Sequence, residues 1–302
     1  MTATVLICTK DRRDRVALTL DGVSKLTYDG DWEIILVDNG SRDDTLALLH
    51  QFAAAAPRPC TVLSQPVTGS ARCRNAGLLR ARGDLIAFLD DDCIPAPDWL
   101  TRIVATFAEF PDVGYLGGRI ELYDQRDDPI TTKTEPEPQR FPPHSVLPTG
   151  SIHGANMAYR RTLIEAVGGF NPAFGAGGRF SGEDVEYCTR ASIGGWAGRY
   201  EPSAVVYHNH GRRSKWEVRR LSRRYDVGRG AYYARFIMHP RSRSQAMHHW
   251  YWHWWRVSWL TVAREIWGAV SYTLLQTAGM LPAVPKPLES PHTPLSVARV
   301  MT

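Results

Sequence analysis

Apolar runs that stop abruptly on polar or acidic residues recur along the first third of the chain. Thr4-Val5-Leu6-Ile7-Cys8-Thr9 runs into Lys10-Asp11-Arg12. Glu33-Ile34-Ile35-Leu36-Val37 runs into Asp38-Asn39-Gly40-Ser41, and Leu85-Ile86-Ala87-Phe88-Leu89 into Asp90-Asp91-Asp92. Short runs of this kind read as strands buried on both faces. Between them the apolar spacing predicts helices over 13–25, 43–56 and 72–82, the last closed by Gly83 as its C-cap, with a further strand at 60–63. Strands alternating with helices predict right-handed βαβ units and a mainly parallel sheet.

The pattern changes after residue 118. Residues 119–150 are polar and Pro-rich around Glu135-Pro136-Glu137-Pro138 and Phe141-Pro142-Pro143. That composition predicts a flexible binding loop or a plain linker. Helical spacing returns at 161–167 and, past Gly-rich turns at 168–169 and 175–178, from Ser181 to about residue 193. Val205-Val206-Tyr207-His208-Asn209-His210 reads as a last strand, whose alternation puts both imidazoles on one side. The segment 248–256 then packs Trp250, Trp252, Trp254 and Trp255 into six residues. Residues 257–280 are long enough to span a bilayer, but Arg264 and Glu265 lie inside, each costing about 2.5–3.5 kcal/mol near a helix centre. Helices lying on a membrane are the expectation, with core or dimer packing as the other reading. The Pro-rich end, 281–302, reads as loosely ordered.

The chain has 302 residues, of which 43% are hydrophobic. That suits one large α/β domain with an appendage, or two small domains. Cys8, Cys60, Cys73, Cys93 and Cys188 are scattered without metal-ligand spacing, which predicts reduced thiols in a cytosolic protein. No signal peptide is expected, because the strand at Thr4–Cys8 begins almost at once. The net charge of +5 is uneven: residues 212–243 hold eleven Lys or Arg against Glu217 and Asp226, so the remainder is net negative. Such asymmetry implies an anionic partner for that segment.

Candidate chemistry concentrates at the strand ends. Ligands of open α/β sheets sit at the carboxyl ends of strands, and three adjacent carboxylates there repel one another unless a cation holds them. A hard divalent ion placed against a diphosphate satisfies that condition; a solvated acidic turn is the plainer alternative. Neither Gly-x-Gly-x-x-Gly after the first strand nor Gly-x-x-x-x-Gly-Lys-Ser/Thr is present, which disfavours dinucleotide oxidoreductases and P-loop enzymes. Asp38 also suits a turn-forming Asx role. Glu183 and Asp184 open a helix, where acids stabilise the dipole by about 0.3–1 kcal/mol, but a carboxylate base also fits there.

Taken in order, Ile7-Cys8-Thr9-Lys10-Asp11-Arg12, Val37-Asp38-Asn39-Gly40-Ser41, Arg74-Asn75-Ala76-Gly77 and Phe88-Leu89-Asp90-Asp91-Asp92 resemble the family 2 glycosyltransferases of the GT-A fold. The resemblance covers roughly residues 4–210. It implies an α/β fold with a Rossmann-like mixed, mainly parallel sheet, and a metal-dependent transfer of sugar from a nucleotide-diphosphate sugar to a hydroxyl acceptor, with inversion. The implied catalytic domain is 1–211, split into a nucleotide-sugar half (1–118) and an acceptor half (119–211), followed by a helical extension (212–302). The implied nucleotide-sugar contacts are Thr9, Asp11, Arg12, Asp38, Arg74, Asp90 and Asp91. Asp90 and Asp92 would place Mn²⁺ or Mg²⁺, with His208 as a further ligand and His210 in reserve. Asp184 would be the base and Glu183 would orient the acceptor, beside a sugar pocket at Gly154, Ala155 and Asn156.

The basic, aromatic extension suits either single-stranded nucleic acid or an anionic membrane surface. The resemblance tilts the reading to peripheral membrane contact through 212–280 at the inner face of the cell membrane. The acceptor would then be a lipid-linked or cell-surface glycan, in envelope polysaccharide synthesis; a homodimer stays open. Two rivals remain. A sugar-phosphate nucleotidyltransferase would need a Gly-rich basic loop after the first strand, and a nucleic-acid-binding protein would leave the acidic motifs unexplained.

Overall fold

The computed structural model describes residues 1–286; the remainder of the Pro-rich end lies outside the described residues. β1 (Ala3–Thr9), β2 (Trp32–Asp38), β3 (Cys60–Ser64) and β4 (Leu85–Asp90) alternate with α1 (Arg13–Ser24), α2 (Thr45–Ala55) and α3 (Ser70–Leu78). There follow β5 (Cys93–Pro95), α4 (Trp99–Glu109), β6 (Val113–Leu122), β7 (Gln139–Phe141), β8 (Asn156–Arg160) and α5 (Arg161–Val167). α6 (Glu183–Ile193), β9 (Ala197–His208), α7 (Lys215–Met238), α8 (Arg243–Trp254) and α9 (Trp259–Thr277) complete the described chain.

The sheet runs β3-β2-β1-β4-β8-β6-β9-β5, with β7 paired to β9. β1 to β4 are parallel in the half formed by 1–90, whereas β8, β5 and β7 pair antiparallel with their neighbours. The apolar runs divide as strand geometry demands. Val5, Ile7, Ile34, Leu36, Leu85 and Leu89 enter one core, while Leu6, Ile35, Val37, Ile86 and Phe88 enter the other. Both faces are therefore covered, and the runs need no polar alternation.

Register places the chemistry. Thr9 sits opposite Asp38 and Cys8 opposite Asp90, so the acidic ends of β1, β2 and β4 share one edge. β5 then turns back along β9 with Cys93 opposite His208, which carries the end of β9 to the triple Asp.

Three sequence expectations change. α3 ends at Leu78 rather than at residue 82, and Gly83 is no C-cap: a methyl on its Cα would meet the backbone of Ala3 and Thr4 about 2.5 Å away, so close approach to β1 explains it. β9 stops at His208, so strand alternation does not reach His210. The 119–150 segment is pinned rather than loose. Ile120 bridges Lys133, β7 joins the sheet, and Asp127, Phe141, Val146 and Leu147 are buried.

The extension shares the second core. Tyr232, Tyr233 and Phe236 of α7 and Tyr272 of α9 bury with Phe174 and Phe180. A capping box between Ser214 and Glu217 starts α7. Along the α7–α9 contact, a methyl on Gly230 would fall on the carbonyl oxygen of Glu265, and one on Gly268 on that of Val227. Among the described residues, no helix is long and apolar enough to cross a membrane. Glu265, inside the apolar stretch of α9, is fully buried and collects Arg229 Nη1 (2.7 Å), Trp250 Nε1 (2.7 Å), Trp254 Nε1 (3.0 Å) and His253 Nε2 (3.0 Å).

Candidate active site

A cavity of about 790 Å³ opens at the carboxyl ends of β1 and β4 and is closed by the turn before α6, the end of β9 and one face of α7. Its carboxylates are already charge-matched. Arg12 Nη1 donates to Asp91 Oδ1 and Asp92 Oδ2, both at 2.8 Å, and Arg15 approaches Asp92 at 3.6 Å. Thr9 Oγ1 donates to Asp91 Oδ2 at 2.7 Å. Arg74, 5% exposed, spans the two halves: it reaches Asp90 (3.2 Å), Glu183 (2.6 Å) and the carbonyl of Gly154 (3.3 Å). The mutual repulsion of the triple Asp is thus met by guanidinium groups.

These surroundings pull the three acids apart. Burial pushes Asp91 up to about 6 even though Arg12 draws it down. Burial likewise raises Asp90 against Arg74. Burial also opposes ionisation of Asp92, but the His208 hydrogen bond, His208 and Arg12 outweigh it and hold that carboxyl well below the usual range.

The residues fit a divalent cation. Asp92 Oδ1 faces His208 Nε2 at 3.2 Å, and Asp90 lines the same cavity. His208 Nδ1 lies 3.4 Å from the Thr131 carbonyl and 3.3 Å from Thr131 Oγ1; with the proton on Nδ1, Nε2 would be a lone-pair donor to a metal in place of its contact with Asp92. Cys93 Sγ lies within 4.8 Å of these ligand atoms; burial first, and Asp92 next, push its thiol well up. Carboxylate with imidazole suits Mn²⁺ better than Mg²⁺.

Asp184 stands in the first turn of α6, entered through Gly182 at φ 98. The Gly154 amide donates to its Oδ2 at 2.8 Å. Burial, and then Glu183, push its carboxyl up to about 6. Glu183 is held by Arg74 and by Ser70 Oγ at 3.0 Å.

The expected nucleotide-side residues Thr9, Asp11, Arg12, Arg74, Asp90 and Asp91 all line this cavity, as do Asp92 and His208, the pair Glu183 and Asp184, and Gly154 and Ala155. Three expected residues do not. Asp38 is buried and accepts from the amides of Gly40 (3.0 Å) and Ser41 (3.2 Å), the Asx turn that its own sequence allows. Asn156 is fully buried as a strut between Trp99 Nε1 (2.8 Å) and the carbonyls of Arg119 and Ala204 (2.9 Å each). His210 Nδ1 accepts from the Arg212 amide at 3.0 Å and faces Asp127, not the cavity. Asp11, at φ 51, also spends one oxygen on the Arg42 amide (2.6 Å).

Sequence reading missed Arg15, Ser70 and the α7 wall. Arg15 was findable, one helical turn after Arg12. The α7 lining residues Leu221, Arg224, Tyr225, Gly228, Arg229 and Tyr232 follow helical i, i+3, i+4 spacing, a stripe hidden by the dense run of charges around it.

The profile described as Glycosyl transferase family 2 matches residues 4–168. Glycosyltransferase AglE of Haloferax volcanii is 26% identical over 205 residues, 68% of this chain and 66% of its own. The pre-mycofactocin glycosyltransferase of Mycobacterium tuberculosis is 31% identical over 186 residues, 59% of this chain and 37% of its own. The matched region is thus two thirds or less of these relatives' lengths. Among solved structures, the mannosyltransferase PcManGT from Pyrobaculum calidifontis, in complex with GDP-Man and Mn²⁺, superposes with TM-score 0.63 at 20% identity, covering 93% of this chain and 76% of its own. TarS 1–349 of S. aureus with UDP-GlcNAc gives 0.58 at 16% identity, covering 93% and 84%. Both likenesses are of fold.

Proposed function

The chain belongs to glycosyl transferase family 2, and on that premise we propose that it moves a sugar from a nucleotide-diphosphate sugar to a hydroxyl acceptor by a single inverting displacement. The observation that carries this reading is the convergence on one cavity of Asp92 with His208, Arg74 with Asp90, and Asp184 with Glu183. Strand-end carboxylates, a cationic tether and a raised carboxyl are the parts that transfer from a diphosphate leaving group needs.

Asp184 takes the proton of the acceptor hydroxyl as its oxygen bonds to the anomeric carbon. The bond from that carbon to the diphosphate oxygen breaks on the opposite side, and its electron pair leaves with the nucleoside diphosphate. The Gly154 amide fixes the carboxylate's aim, while Arg74 holds Glu183 back from the proton and ties it to the donor end. Asp90, Asp92 and His208 would hold Mn²⁺ or Mg²⁺, which supplies charge neutralisation on the leaving group. Thr9 and Arg12 orient Asp91 at the nucleotide end.

A catalytic unit, 1–211, with an extension from 212 is the division proposed, the extension packing into the second core and walling the cavity. Trp255, Trp259 and Trp267 are each more than two-thirds exposed, with Arg256 among them. Indoles beside basic residues suit the interfacial layer of an anionic membrane, at the inner face of a cell envelope whose glycans are built on lipid carriers.

Calorimetric titration of UDP, GDP, dTDP and CMP into wild type and Asp92→Asn, with and without Mn²⁺, tests the donor site. One nucleotide should bind tightly only with both Mn²⁺ and Asp92. Folded protein that binds none of them in a metal-dependent way would sink the transferase reading.

A further inference from the structure

We infer that the cavity wall formed by α7 and the connector leading into it is an acceptor subsite for a phosphate ester, with Arg212 and Arg224 as its anion-binding groups. The inference rests on reading the cavity as a transferase site and names the class of acceptor it takes.

The cavity's cations divide into committed and uncommitted. Arg12, Arg74 and Arg229 are paired with carboxylates, and Lys10 Nζ donates to Thr68 Oγ1 at 2.9 Å. Arg212 and Arg224 also line the cavity, yet among the described residues neither forms an ion pair, and Arg212 Nη1 is buried without any hydrogen-bond partner. Arg213, by contrast, binds Asp124 and Asp127, while Arg224 is exposed at the cavity mouth. A buried guanidinium N–H with no acceptor is unfavourable, and an anion placed beside it supplies that acceptor.

Arg224 lies on the side of the base, and Arg212, in the connector after β9, is near enough for its charge to be felt at Tyr225. Ser181, just ahead of Glu183 and Asp184, donates its Oγ to the Arg224 carbonyl at 3.0 Å. Gly228 lets α7 close on the same residue, because a methyl there would strike Ser181. Tyr225, the next residue along the wall, is pushed up to about 12 by burial and then by the negative charge of Asp184. Donor-side carboxylates already hold the other arginines. A group bound between Arg212, Arg224 and Tyr225 therefore sits where the attacking molecule must come to meet Asp184.

A phosphate ester suits this place best. Its oxygens accept from two guanidiniums at once, while Leu221 and Tyr225 offer apolar contact to the alcohol portion. Arg219, Arg220 and Arg223 on the same helix extend positive potential outward along the approach. The acceptor's hydroxyl loses its proton to Asp184 as before; its phosphate stays intact and is only bound.

The test titrates phenyl phosphate into protein preloaded with Mn²⁺ and whichever nucleotide binds, with phenyl β-glucoside as the neutral comparison. A parallel arm compares phosphatidylcholine vesicles with and without polyprenyl phosphate. Phenyl phosphate should bind the loaded protein, the glucoside should not displace it, and Arg224→Ala and Arg212→Ala should each weaken it at least tenfold, with Arg224→Lys recovering part of the loss. Nucleotide titration of each variant checks that it is folded. Response to the doped vesicles together with the soluble ester marks a phosphate recognised outside a bilayer, whereas response to the vesicles alone marks a lipid headgroup; both support the subsite. Phosphate binding that nucleotide excludes belongs to the donor's diphosphate and overturns the inference, as does binding indifferent to Arg224→Ala. If no nucleotide binds, the transferase reading fails on its own, and the phosphate titration is still decided by Arg224→Ala on the unloaded protein.

Discussion

Asp184 is the residue on which the chemistry turns, and its environment makes two expectations. Its carboxyl titrates near 6 because burial and Glu183 oppose ionisation. The base form is therefore populated above that pH and lost below it, so kcat/KM should fall about tenfold per pH unit on the acid side of roughly pH 6. Asp184→Asn should lower kcat by about 10²–10⁴ while nucleotide binding persists, since general-base catalysis contributes on that scale. A variant that kept more than a tenth of wild-type kcat would remove Asp184 from the role. At this scale the sequence was legible where acids end an apolar run or open a helix, even though their partners lie far along the chain. The triple Asp, Arg74 and Glu183-Asp184 all reach the cavity. Asp38 and Asn156 misled because a local turn and a buried strut use the same polar residues as a binding site. His210 misled because β9 ends before it.

The elements were read most accurately where burial is two-sided and least where backbones touch. β1, β2 and β4 announce themselves as unbroken apolar runs because each feeds two cores. Gly83, Gly230 and Gly268 carry no such signal, since what each accommodates is a distant backbone. The α7–α9 contact gives the sharpest stability expectation. Gly230→Ala places a methyl on the Glu265 carbonyl, and overpacking of this kind costs about 1–3 kcal/mol or more. The thermal midpoint should drop by several degrees, whereas Arg223→Ala, on the exposed side of α7, should leave it nearly unchanged. Equal midpoints for the two would mean that α7 and α9 pack less closely than described.

At the scale of the molecule, the helix that walls the cavity packs against the helix that carries much of the aromatic surface. α7 meets the turn before Asp184 through Gly228 and meets α9 through Gly230. The sequence showed the charge and the indoles but could not show that Glu265 organises part of them inward. Trp255, Trp259 and Trp267 remain outside. Changing these three to Ser should reduce co-sedimentation with vesicles containing anionic lipid by at least tenfold without altering nucleotide affinity. Retention of full vesicle binding would assign that surface to a protein partner instead. The bond network of Glu265 has a separate, optical consequence. Trp250 and Trp254 emit from beside one buried carboxylate, whereas Trp255, Trp259 and Trp267 emit into solvent. That stretch thus holds two populations of fluorophore over a protected background from buried Trp32 and Trp99: undocking of α8 should expose the first to a water-soluble quencher, and a partner on the outer face should shield the second.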